Sequence, residues 1–173
     1  MSGFPNSGKS TLLNAIIKKK ISIVSSKVQT TKDEIKGIVN YKNTQLIFSD
    51  TPGIVFSKKH QSKNLARSLT KNNDNIDLNI FIFDVLKKIT ENQIIHLTKI
   101  FNFYKKNFLV INKIDLVPRK NLLEISEKLN MFFNFKETFM ISAKKNKDVK
   151  YLIKKISLHM PTRSWVYEKS IQT

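Results

Sequence analysis

The sequence predicts an α/β fold with a mostly parallel sheet flanked by helices, and two observations carry that prediction. Short apolar segments of strand length alternate with amphipathic segments of helix length along the chain. Four polar motifs stand at the joints between them: GFPNSGKS (Gly3 to Ser10), DTPG (Asp50 to Gly53), NKID (Asn112 to Asp115) and SAK (Ser142 to Lys144). Lys9 to Lys18 reads as the first helix, with Leu12, Leu13, Ile16 and Ile17 on its apolar face. Glu34 to Tyr41 and Thr44 to Ser49 read as strands joined by a tight turn at Lys42-Asn43. Leu78 to Val85 is a near-continuous apolar run, the pattern of a strand buried on both faces. Glu91 to Tyr104 is a helix with Ile94, Ile95, Leu97 and Phe101 apolar, and Phe108 to Ile111 is a strand leading into NKID. A helix over Asn121 to Phe133, a strand over Thr138 to Ile141 and a helix over Asp148 to His159 follow, with Pro161 just past the last.

The chain of 173 residues, 40% hydrophobic, suffices for one domain, assigned to 1–160, with 161–173 as a linker or tail without periodicity. A phosphate-binding loop normally follows a buried strand, but only Met1 and Ser2 precede Gly3. That strand is therefore expected to be missing, and its sheet neighbours to lack ladder partners.

There is no cysteine, and His60, His96 and His159 have no paired ligand spacing, which argues against disulfides and structural zinc. No apolar run approaches the ~18 residues of a membrane span, so a cytoplasmic protein is expected. The net charge is +18, with Lys supplying 28 of 31 basic residues. Lys, Ile, Asn and Phe, all with A/T-rich codons, make up 79 residues, so compositional drift and polyanion binding are both open as causes. Either way the surface favours polyanions such as RNA in a salt-sensitive manner.

The motifs carry specific chemistry. GFPNSGKS fits G-x-x-x-x-G-K-[S/T], the P-loop NTPase pattern. Gly3 and Gly8 let the backbone turn its N–H groups towards phosphate, with Asn6, Ser7 and Thr11 completing the cradle. Lys9 supplies a charge at the β- and γ-phosphates, and the Ser10 hydroxyl a ligand for Mg²⁺. Asp50 can hold a Mg²⁺-bound water, and Gly53 can offer its N–H to the γ-phosphate. A hydroxyl of Thr31, or of Thr30 beside it, can close onto the metal. The Asp115 carboxylate can accept from guanine N1–H and the 2-amino group, neither of which adenine offers. Asn112 can brace neighbouring loops, the Lys113 stem can lie across the base, and the Ala143 N–H, between Ser142 and Lys144, can donate to guanine O6. Ile54, after DTPG, stands where many GTPases carry a water-orienting Gln and cannot hydrogen-bond water. Asn6 can instead turn its carbonyl to a K⁺ ion beside the phosphates, so Lys9, Thr31 and Asn6 are the candidate catalytic groups.

In PNSGKSTLLN, KISIVSSKVQTTKDEIKGI and QLIFSDTPGI, from Gly3 to about Pro161, the chain resembles the bacterial Era GTPase family. The resemblance implies a Ras-like G domain that binds GTP and GDP with Mg²⁺ and acts as a switch in small ribosomal subunit assembly. It also implies a C-terminal KH domain that binds 16S rRNA, a weak peripheral association with membranes, and a monomer. No G-x-x-G element follows the motifs here, so KH-mode RNA binding is not expected of these residues. A tRNA-modification-type GTPase domain shares the motifs and is the alternative within the class. A non-hydrolysing GTP-binding module, motivated by Ile54 and the missing strand, and a truncated remnant, motivated by the expected truncation at both ends, are the alternatives outside it.

Overall fold

The computed structural model describes residues 1–18, 23–24, 29–30, 33–49 and 76–167. In chain order these form β1 (Ser2–Gly3), α1 (Lys9–Ile17), β2 (Ile23–Val24), β3 (Gln29–Thr30), β4 (Asp33–Tyr41), β5 (Thr44–Ser49), β6 (Asn79–Asp84), α2 (Glu91–Phe101), β7 (Asn107–Asn112), α3 (Arg119–Phe132), β8 (Glu137–Met140) and α4 (Val149–Leu158). The order β1-β6-β7-β8 makes a parallel sheet, while β4 pairs antiparallel with β2, β3 and β5.

Side-chain alternation along the central strands builds two cores. Ile80, Ile82, Phe108, Val110, Phe139 and Ile141 face α1 and α4, joined by Val39, Leu46 and Phe48 from the antiparallel strands. Phe81, Phe83, Leu109 and Ile111 face the opposite way, towards Leu97, Ile100 and Phe101 of α2 and Leu122 and Leu129 of α3. Every residue of β6 and β7 is buried, as a strand covered on both faces must be. The second core is aromatic: Phe101 packs edge-on against Phe81, Phe133 and Phe135 at centroid distances of 5.1, 5.0 and 5.3 Å.

The element preceding the phosphate loop differs from the sequence reading. Ser2 and Gly3 pair in parallel with Phe81 and Ile82 of β6, so two residues of a strand form where none was expected. Buried polar groups anchor it. Ser2 Oγ donates to Asn79 Oδ1 (2.8 Å), Asn79 Nδ2 donates to Asn107 Oδ1 (2.9 Å), and Asn107 Nδ2 donates to the Phe101 carbonyl (3.0 Å). Beside it the Met1 ammonium donates to the Ser49 carbonyl at 2.8 Å, linking β1 to the end of β5.

Helix boundaries follow local chemistry. α2 starts on a reciprocal capping box: Thr90 Oγ1 accepts from Gln93 N–H, and Gln93 Oε1 accepts from Thr90 N–H. It stops three residues short of Tyr104, because the amides of Phe103 and Tyr104 turn back to the carbonyls of Ile100 and Phe101. α3 begins at Arg119, two residues before the predicted start, with extended Pro118 as its N-cap. Asp148 takes a left-handed φ of 60° and lies outside α4 as its N-cap. The segment read as a loose tail is pinned as far as Tyr167. Gln45 clamps the Tyr167 backbone at both its carbonyl and its amide (3.0 Å each), and Arg163 pairs with Asp77 at 2.9 Å.

Candidate nucleotide site

The carboxyl ends of β1, β6, β7 and β8 lie side by side, and the phosphate, NKID and SAK loops leave the sheet from this edge, where open α/β sheets bind ligands. The phosphate loop gets its shape from backbone conformation. Asn6 and Gly8 take φ of 63° and 97°, the Ser7 amide returns to the Phe4 carbonyl (3.2 Å), and Gly8 is the N-cap of α1. Glycine is required there, because a Cβ would collide with the Asn112 amide nitrogen. The N-terminus of α1 has no side-chain cap and no acidic residue in its first turn, so its leading N–H groups suit an anion. Lys9 curls over the loop, its Nζ donating to the carbonyls of Gly3 (3.1 Å) and Phe4 (3.0 Å). This uncapped cradle with an ammonium across it fits a nucleotide polyphosphate. Ser10 and Thr11 stand exposed in the first turn of α1, and Asn6 stands exposed on the rim of the loop.

Asn112 ties three motifs together. It is buried, and its Nδ2 donates to the Ser7 carbonyl (2.9 Å) while its Oδ1 accepts from the Ala143 amide (3.0 Å). The Ala143 N–H assigned to guanine O6 thus has a protein acceptor as well. Lys113 has a left-handed φ of 66°, and its Nζ meets Asp84 Oδ2 at 2.6 Å. Asp84 closes β6, is 3% exposed, and also accepts from the Leu86 amide at 3.0 Å. It fixes the direction of the Lys113 stem. Sequence reading did not single it out; an acid ending the wholly apolar FIF run was the available signal.

Asp115 lies in the short turn after Lys113, with Lys145 Nζ 3.8 Å from its carboxylate. A hydrogen bond from Ser142 holds its carboxyl below the usual range, helped by the charges of Lys145 and Lys144. Ser142 is buried, and its Oγ also accepts from the Lys145 amide at 3.1 Å, while Lys144 is exposed. Asp115 thus stays ionised at neutral pH and into mild acid. A group with a depressed folded pKa keeps its charge-dependent contribution above the ordinary carboxylate value and loses it as pH falls through the depressed one. Ser142→Ala should therefore move the acid loss of GDP affinity to higher pH, with Ser142→Thr keeping the original curve. Fluorescent-GDP titrations from neutral to acid pH check this, and superimposable curves for wild type and Ser142→Ala would contradict it.

Thr30 lies in β3, paired with Asp33. Thr31, Asp50, Gly53 and Ile54 lie outside the described residues. Ser7 carries an oddity: its Oγ is buried with no hydrogen-bond partner among the described residues. An unmet buried hydroxyl costs about 1–3 kcal/mol. Ser7→Ala is expected to raise stability by about 1 kcal/mol in urea unfolding with GDP affinity kept, since the loop uses the Ser7 main chain. A lowered unfolding midpoint would show that the hydroxyl has a partner.

A family model described as a 50S ribosome-binding GTPase matches residues 1–113. The chain belongs to that family. Within this GTPase family it is similar to Era proteins over nearly its whole length. GTPase Era of Afipia carboxidovorans is 37% identical over 165 residues, which cover 95% of this chain and 54% of the relative. GTPase Era of Clostridium novyi is 34% identical over 171 residues, covering 99% and 58%. The chain thus spans about half the length of the curated Era proteins it matches. Among solved structures, an Aquifex aeolicus Era variant bound to GDP·AlF4⁻ aligns with a TM-score of 0.75 at 31% identity, covering 98% of this chain and 58% of that one. Era in complex with MgGDPNP and nucleotides 1506–1542 of 16S ribosomal RNA aligns with a TM-score of 0.76 at 31% identity and the same coverage.

Proposed function

We propose that this Era-type G domain binds GTP and hydrolyses it slowly with Mg²⁺, as the switch of a factor in small ribosomal subunit assembly. The observation that carries the reading is the Asn112 amide, which joins the phosphate loop to both guanine-reading loops through two buried hydrogen bonds. A plain glycine turn has no use for such a link; a site that must hold base and phosphates in one geometry does. Lys9 and the leading amides of α1 hold phosphate charge, Asp115 reads the guanine edge, and Lys113, steered by Asp84, lies along the base. Mg²⁺, when bound, neutralises charge on the β- and γ-phosphates. Ser10 would hold it from α1, with Thr31 and Asp50 as its further proposed ligands. Asn6 would place a K⁺ ion beside the phosphates. Among the described residues no side chain is placed as a general base, so catalysis is positioning and charge neutralisation.

The small-subunit assignment is supported by the 16S rRNA fragment held in the Era complex, whereas the description of the broader family speaks of the 50S particle. We extend to this chain the partners that follow: guanine nucleotide, 16S rRNA and a cytoplasmic location. Among the described residues no helix is long and apolar enough to cross a membrane. The test is titration with fluorescent GDP in Mg²⁺ buffer with ADP as competitor, followed by phosphate release in KCl and in NaCl. Guanine-selective binding with K⁺-stimulated release is expected. Displacement by ADP as readily as by GDP would sink the guanine reading, and binding without release would reduce the domain to a non-hydrolysing module.

A further inference from the structure

A second site is suggested away from the motif loops, between the end of β4 and α4. Tyr41, Asp148, Lys150, Tyr151 and Lys154 line an open cleft of about 390 Å³. Tyr41 is half-buried and packed against the core. Tyr151 is 52% exposed, and its ring rests edge-on against Phe139 at 6.1 Å between centroids, so the outer part of the ring is offered from a fixed base. Lys155 Nζ lies over the same ring, 5.8 Å from its centre, and is held by Glu137 at 3.2 Å, so a stacking base takes the opposite face. Lys150 and Lys154 are both exposed, one turn apart on the helix, with Tyr151 between them in sequence. Lys42 and Lys147 add exposed positive charge in the adjoining turns. Asp148 is the one acid lining the cleft among the described residues.

We infer that this cleft binds single-stranded RNA, a base stacking on Tyr151 beside Tyr41 while Lys150 and Lys154 take the flanking phosphates. Aromatic faces set in a basic groove are how proteins hold single strands without reading their sequence. A lipid headgroup offers the matching charge but nothing for the rings. The inference does not rest on the nucleotide site, because RNA binding is read separately from GTP turnover.

The experiment is fluorescence anisotropy of the full chain with a labelled oligouridylate, across a range of KCl concentrations. Tyr151→Leu keeps an apolar contact on Phe139 and removes the stacking face; it should weaken binding roughly 5- to 150-fold, with Tyr151→Trp restoring it. Lys150→Gln with Lys154→Gln should lower the salt slope by about 1.4, two phosphates at roughly 0.7 each. The charge-matched control is Lys120→Gln with Lys128→Gln, both exposed on α3, and it should change affinity less. Both lysine pairs are at the surface, so the comparison stands even if a Tyr151 variant folds poorly. Equal losses from the two lysine pairs, unchanged binding by folded Tyr151→Leu, or cleft-dependent binding to phosphatidylserine vesicles with none to RNA would each overturn the proposal.

Discussion

Asp115→Asn should cost guanine nucleotides at least about 10³-fold in affinity while xanthine nucleotides gain, the largest effect expected of any single change here. The carboxylate offers two acceptors to N1–H and the 2-amino group, and an amide replaces one of them with a donor. Xanthine carries an oxygen where guanine carries that amino group, so the new donor finds an acceptor. The environment of Asp115 makes the substitution clean. Its carboxyl is held ionised by Ser142 and by the nearby lysines, so the wild-type site presents the charged form. Its partner Lys145 is two-thirds exposed, so losing that pair costs little stability. Competition of GDP and XDP for a fluorescent guanine nucleotide measures the change. An unaltered preference for GDP would remove Asp115 from the base-reading role.

Asn112→Ala should combine a large loss of stability with a large loss of nucleotide affinity. It leaves the Ser7 carbonyl and the Ala143 amide without their buried partner, at about 1–3 kcal/mol each, against a typical total of about 5–15 kcal/mol for a domain. Affinity should fall at least about 100-fold, because the phosphate loop and the guanine loops are no longer held in register. Gly8→Ala reaches the same joint from the other side, since its Cβ would run into the Asn112 amide. The two changes should therefore be non-additive, with Gly8→Ala costing less when residue 112 is already alanine. Urea unfolding of the double-mutant cycle reads this. Strict additivity would mean that Gly8 acts through its φ of 97° and not through contact with Asn112.

Much of this site could be read from sequence because its chemistry is local. A glycine turn before a helix, an Asn-Lys-x-Asp run after a buried strand, and a Ser-Ala-Lys run after another each carry their meaning within a few residues. The parallel sheet was readable for a similar reason: the centres of β6 and β7, Ile80 to Phe83 and Phe108 to Ile111, are wholly apolar, as burial on both faces requires. What could not be read depends on partners distant in sequence. Asp84 acquires its role only when β6 and β7 lie side by side and bring Lys113 to it, 29 residues on. The two-residue β1 could not be foreseen because its anchor is a side-chain relay through Asn79 and Asn107, not a hydrophobic pattern. Tail docking rests on single side chains matched to partners 86 and 122 residues away, Arg163 to Asp77 and Gln45 to the Tyr167 backbone, and no periodicity announces such contacts.

That docking also gives the molecule an optical property. Trp165 is the only tryptophan in the sequence, and its indole N–H donates to the Asn43 carbonyl at 3.3 Å, just before β5 begins. The other end of β5, at Ser49, meets Met1 beside the phosphate loop, so a strand's length separates the indole from the cradle. Emission excited at the red edge of the protein's absorption comes from this one ring. It reports whether the C-terminal segment is seated on the hairpin, without any label. A shift in that emission on adding nucleotide would be a direct reading of communication along β5, from the pocket to the docked segment around Trp165.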